Sequence, residues 1–353
     1  MAELVAFVLL LAVAAYACAG GVDYGAGFWD LTAGGPGRGR RPRWLIDHAM
    51  APVWEVNNVW LVFVLVLMWT GFPLMFQTVF TAMWLPLALA ALGMVLRGAG
   101  FALRKPVRRL SRRRLYGAAF AVASLLTPFC LGVTVGAVAS GRAVPGTEAA
   151  ARAWASAASL AFGLLTVAAT ALLGAVFLTV DAARFAAPDL VRYFRLRALL
   201  ALVAVAVTAV GVLAVTRGDA PYVWQGLTHG AGLALAVASA VSFTATGLLV
   251  LRGGDRWARW ARFGAVATVA TAVFAWGAAQ RPYLIPTSLP LARAAGDSQT
   301  LAWLLVVSLV ALLLVGPAVA LLYWLDTRGE LEPLADSDLR RTGPDPGGTP
   351  GAG

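Results

Sequence analysis

Nine apolar runs, most of them long enough to cross a membrane as helices, constrain this chain more than any other feature. They lie near residues 4–22, 52–72, 77–97, 116–139, 155–180, 198–216, 228–251, 263–280 and 301–325. A bilayer's hydrocarbon core is about 30 Å thick, which needs about 20 apolar residues in a helix. A helix also satisfies its own backbone groups, so it can sit in lipid. The chain is 60% apolar and only 13% charged, against about 25% charged in an ordinary soluble domain. The short alternating strands of an outer-membrane barrel are absent. The expected fold is therefore an all-α integral membrane protein of about nine transmembrane helices. Residues 1–325 form the polytopic domain. Residues 326–353 form a polar tail rich in Gly and Pro, expected to be disordered because it has little apolar surface to bury. No basic segment precedes the first run, so that run is expected to stay in the protein rather than be removed as a signal.

The formal net charge is +11. The basic residues fall between the apolar runs, which points to topology rather than to nucleic acid. Arg38, Arg40, Arg41 and Arg43 follow run one. Arg97, Arg104, Lys105, Arg108, Arg109, Arg112, Arg113 and Arg114 follow run three. Arg184, Arg192, Arg195 and Arg197 follow run five, and Arg252, Arg256, Arg259 and Arg262 follow run seven. Arg328, Arg340 and Arg341 lie in the tail. The alternate loops hold only Arg142, Arg152, Arg217, Arg281 and Arg293. Positive charge marks the cytoplasmic side. The amino terminus is thus expected outside and the carboxyl terminus inside.

The residue types restrict the chemistry. The two histidines, His48 and His229, fall at opposite ends of the alternation, so they are not expected to share a heme or a metal. No cofactor-binding and no metal site is expected on this chain. Cys18 and Cys130 read as small buried hydrophobes. No P-loop, nucleophile elbow or zinc motif occurs. The acidic residues at membrane edges are the candidates, since charge is costly there. Asp23 follows run one in the glycine-rich stretch Gly20-Gly21-Val22-Asp23-Tyr24-Gly25-Ala26-Gly27. Glu55 opens run two, in Pro52-Val53-Trp54-Glu55-Val56-Asn57-Asn58-Val59-Trp60. A Glu followed by Asn57 and Asn58 can hold water and pass protons. The same Glu also suits the positive end of a helix dipole, and the glycines equally suit close helix packing. Both readings stand on the residues alone.

These motifs resemble subunit II of the cytochrome bd-type quinol oxidases. The resemblance rests on Gly21–Gly27 and on Pro52-Val53-Trp54-Glu55-Val56-Asn57-Asn58-Val59-Trp60-Leu61. Phe72-Pro73, Arg97-Gly98-Ala99-Gly100-Phe101-Ala102-Leu103-Arg104, Gly174-Ala175-Val176-Phe177-Leu178 and Gln280–Pro286 follow in the matching order. The chain departs from the family pattern at Val56-Asn57-Asn58, at Leu289-Pro290 and in the heavy basic cluster before run four.

The resemblance implies two four-helix bundles with a peripheral ninth helix, in a bacterial cell membrane. It implies a heme-free subunit without independent catalysis, paired with a heme-bearing subunit I. That partner would hold two b-type hemes and a d-type heme, or only b-type hemes, and oxidise quinol while reducing oxygen to water. A small single-helix accessory subunit and membrane lipids are further implied partners; nucleic acid is not. Glu55, supported by Trp54 and Asp23, would contribute to a cytoplasmic proton path, with Asn57 and Asn58 as secondary polar groups. A secondary transporter and a purely structural subunit are the rival readings. The transporter predicts polar clusters at broken helix centres, whereas the centres here are mostly Ala, Val and Leu.

Overall fold

The structure is a computed structural model. It describes residues 1–35, 37–50, 54–104, 110–143 and 153–328, with the side chains of Trp54, Glu55 and Val56 outside the described set. The described chain is almost entirely helical. The helices are α1 (Ala2–Leu31), α2 (Arg40–Met50), α3 (Trp54–Val66), α4 (Pro73–Ala82), α5 (Trp84–Arg104), α6 (Leu110–Ala139) and α7 (Ala157–Arg184). They continue as α8 (Pro188–Asp219), α9 (Pro221–Thr228), α10 (Gly230–Arg252) and α11 (Asp255–Gln280). A small antiparallel pair, β1 (Tyr283–Ile285) and β2 (Leu289–Pro290), leads to α12 (Leu291–Ala294) and α13 (Ser298–Arg328). Met1–Leu304 form one compact unit. Leu305–Gly353 form a second, in which the described chain continues as helix to Arg328.

Among the described residues, seven helices are long and apolar enough to span a membrane: α1, α6, α7, α8, α10, α11 and α13. Run two ends at a sharp break before Pro73, and run three departs from expectation. α3 ends in a π-helical turn, Leu67–Gly71, and the chain then bends by 116° into α4. Pro73 causes the bend, because it has no N–H to give and holds Phe72 out of helical geometry. Phe72 takes φ −136° and ψ 62° and is fully buried. The Gly71 carbonyl freed there accepts a 2.9 Å hydrogen bond from Gly296 N. Run three, expected as one helix over 77–97, is cut at Met83 into α4 and α5. Pro86, in the first turn of α5, has no N–H to bond the Ala82 carbonyl across the break.

The first helix runs nine residues past its expected end, to Leu31. The glycines of 20–27 do not form a turn. They let α1 lie against its neighbours. A Cβ on Gly25 would meet the Thr170 carbonyl oxygen at 1.9 Å, and one on Gly174 would meet Gly25 backbone at 2.4 Å. At that crossing α1 and α7 touch backbone to backbone, as small residues permit between membrane helices. Trp29 Nε1 donates to Ala171 O at 2.8 Å and fixes the same seam one turn further on. α1 also packs against α3, α6 and α11. The main core joins Leu172, Leu173 and Leu178 of α7 to Phe194 of α8 and Phe120 of α6. Between runs one and two, where a loop is expected, α2 places Leu45 and Ile46 in this core. Its polar side carries Arg41, paired with Asp189 at 2.9 Å.

Candidate functional site

The polar interior of the fold is built on α1. Asp23, in its last third, is 3% exposed. Asn57, in the first turns of α3, is 4% exposed. Its Nδ2 donates to Asp23 Oδ2 at 2.6 Å and to the Ala19 carbonyl at 3.2 Å. Arg97 of α5 is buried close enough for its charge to act on Asp23. Its guanidinium lies 4.6 Å from the centre of the Tyr24 ring and 5.3 Å from that of Phe120. Arg97 Nε donates to Ser124 Oγ at 3.3 Å, and Ser124 in turn donates to the Phe120 carbonyl at 2.7 Å. Arg97 Nη2 is buried with no hydrogen-bond partner. The Tyr16 and Tyr24 hydroxyls meet at 3.1 Å. A carboxylate, an amide, a guanidinium, two phenols and a hydroxyl thus share one region between membrane helices.

Two of the residues singled out in the sequence, Asp23 and Asn57, are brought into direct contact. Asn58 is only half-buried and takes no part in that contact. Trp54 and Glu55 lie in the first turn of α3, with side chains outside the described residues. The expected position of Asp23, beyond the end of run one, is corrected: it sits inside a continuous helix, where the flanking glycines serve helix packing.

Arg97, Tyr16, Tyr24 and Ser124 join the cluster although the sequence alone does not mark them as site residues. By sequence Arg97 groups with the basic residues that follow run three, yet it lies seven positions inside α5. Its signal is an arginine between a leucine and a run of small residues, with no other polar side chain before Arg104. A second buried acid was also missed. Asp30, 3% exposed, pairs with Arg43 Nε at 2.9 Å. Arg43 further donates to the Gly34 carbonyl at 2.6 Å, so it has a structural role beyond orienting the chain.

The two histidines do not converge. His48 lies on α2, beyond the carboxyl end of α1, with Nδ1 2.8 Å from the Trp44 carbonyl. His229 immediately precedes α10, whose partner α11 ends beside the amino end of α1, where Arg281 pairs with Glu3. The 30 residues of α1 separate these ends, about 45 Å at 1.5 Å per residue. The pair therefore does not fit one heme. Among the described residues there is no cluster of three or more His, Cys, Asp or Glu side chains suited to a metal ion.

Residues 1–326 match the family model described as cytochrome bd terminal oxidase subunit II. The chain belongs to that family. A search of curated proteins returns no match. Among solved structures, a bd oxidase chain from Geobacillus thermodenitrificans aligns with a TM-score of 0.71 at 24% identity. The alignment covers 92% of this chain and 98% of that one. At that identity the likeness is one of fold. This subunit II chain is thus an all-α, multi-pass protein of a bacterial membrane, and belongs with an oxidoreductase complex. The cluster of Asp23, Asn57, Arg97 and Ser124 lies on α1, α3, α5 and α6.

Proposed function

We propose that this chain is the heme-free half of a quinol:oxygen oxidoreductase, supporting a heme-bearing subunit I and helping to deliver cytoplasmic protons for oxygen reduction. The observation that carries the reading is the Asp23–Asn57 hydrogen bond, buried among membrane helices beside Arg97. A carboxylate is expensive inside a membrane protein, and its retention marks a functional group by default. The amide of Asn57 holds one carboxylate oxygen and fixes the other's direction. The neighbouring Tyr and Ser hydroxyls can each donate and accept, as a proton relay needs. Glu55, at the start of α3, is the proposed entry, with Trp54 beside it. The hemes belong to the partner in this reading, consistent with two histidines held at opposite ends of α1.

The test is turnover of the purified complex carrying Glu55→Gln or Asp23→Asn. Each variant keeps the shape and a hydrogen-bonding group but cannot carry the proton as a carboxyl does. Turnover is expected to fall by about tenfold or more, toward the lower end of what a positioned acid–base group contributes. The heme absorbance per mole of complex should not change. Full turnover in both variants would sink the proton role. Loss of heme in step with turnover would favour a purely structural subunit.

A further inference from the structure

We infer that the cleft between α7, α8, α10 and α11, at the end of the helices bearing the basic loops, binds the headgroup of an anionic phospholipid. The cleft is lined by Thr179 of α7, Val191 and Arg195 of α8, Val250 of α10, the Gly253-Gly254 linker and Ala258 of α11. Arg195 organises it. Its Nε donates to Val250 O at 2.8 Å and its Nη2 to Leu251 O at 2.5 Å, so it caps α10. Its Nη1 is turned toward Gly253, where a Cβ would come within 2.5 Å of it. Gly253 also takes φ +69°, which favours glycine. The linker is therefore shaped around the guanidinium, which lines the cleft.

The rim is strongly basic. By sequence, residues 252–262 hold four arginines and one aspartate. Arg252 and Arg256 are exposed and flank Trp257, at 5.3 Å and 5.7 Å from its ring centre. Arg192 and Arg259 are exposed as well. The nearest acid of α8, Asp189, is paired with Arg41. Further along α8 and α11, toward the helix centres, exposed side chains are apolar: Leu196 is 57% exposed, Leu200 58%, Trp260 57% and Phe263 64%. Guanidinium groups above exposed aliphatic side chains, with tryptophans at the boundary, match a lipid whose phosphate is anionic and whose tails run along the helices. Free phosphate would use the charges but not the apolar strip below them, so the lipid is the occupant proposed.

The experiment is native mass spectrometry of the detergent-purified protein, with the subunits that accompany it, titrated with phosphatidylglycerol, phosphatidylcholine or inorganic phosphate. Phosphatidylglycerol is expected to be retained in preference to the other two. In Arg252→Gln/Arg256→Gln its apparent affinity should fall by about twenty-five-fold, about fivefold for each surface arginine. Equal retention of phosphatidylcholine, equal binding of phosphate, or an unchanged affinity in the variant would each overturn the proposal. Should the variant not assemble, the wild-type protein is photolabelled with a diazirine-bearing phosphatidylglycerol and the adducts are mapped. Adducts within 192–200 and 248–263 support the site, and adducts confined elsewhere refute it.

Discussion

Gly25→Ala is expected to remove most of the assembled protein from the membrane, and Gly174→Ala to do nearly the same. The added Cβ at Gly25 would sit 1.9 Å from the Thr170 carbonyl oxygen and 2.8 Å from Gly174 N. Both are backbone atoms of α7, so no side chain can swing away to make room. The helices must separate, and the Trp29–Ala171 hydrogen bond on the same seam lengthens with them. Overpacking a well-filled core costs about 1–3 kcal/mol, and a rigid backbone neighbour places this case at the upper end or beyond. Gly211→Ala is the control, because its Cβ meets nothing within 4 Å. Membrane levels of the chain and the melting midpoint of the purified protein are the measurements. A Gly25→Ala protein at normal level, melting with the wild type, would mean that the α1–α7 contact is not close.

The same glycines show what could and could not be read in advance. Their local chemistry suits a turn and suits a helix crossing equally, and only the partner helix decides between the two. Gly174 lies about 150 residues further along the chain, at a distance where sequence pattern carries no signal. Hydrophobic length, by contrast, is a local property. Hence α7, α10, α11 and α13 fall close to their expected positions. Where length and proline chemistry conflict, near Pro86 inside run three, the apolar run does not stay one straight span. The candidate site divided along the same line. Asp23 stood out because acids are rare in such surroundings, and Asn57 because it sits inside an apolar run. Arg97 was hidden by the many arginines that serve only topology. What distinguishes it is its depth of burial between α1 and α6, which no charge count reveals.

That burial leads to the second large effect, through the charge of Arg97 acting on Asp23. Arg97→Leu is expected to destabilise the protein by about 3 kcal/mol, the lower end of the range for stripping the counter-charge from a buried ion. The carboxylate would keep one hydrogen bond from Asn57 but lose the nearby positive charge. The ring faces of Tyr24 and Phe120 would also lose their cation. Asp23→Asn should cost less alone, because an amide oxygen still accepts from Asn57. The double variant Asp23→Asn/Arg97→Leu should then be more stable than the sum of the single changes predicts, by about 1 kcal/mol or more, as expected for residues sharing one network. Thermal melting followed by tryptophan fluorescence measures all three, since the chain has 13 tryptophans. Additive effects would mean that Arg97 serves only the aromatic rings and Ser124, leaving Asp23 to be balanced by the amide of Asn57 alone. A positive coupling together with lowered turnover in Asp23→Asn would tie the charge balance of this cluster to the proton path. Positive coupling with full turnover would make it a structural device that holds α1, α3 and α5 in register.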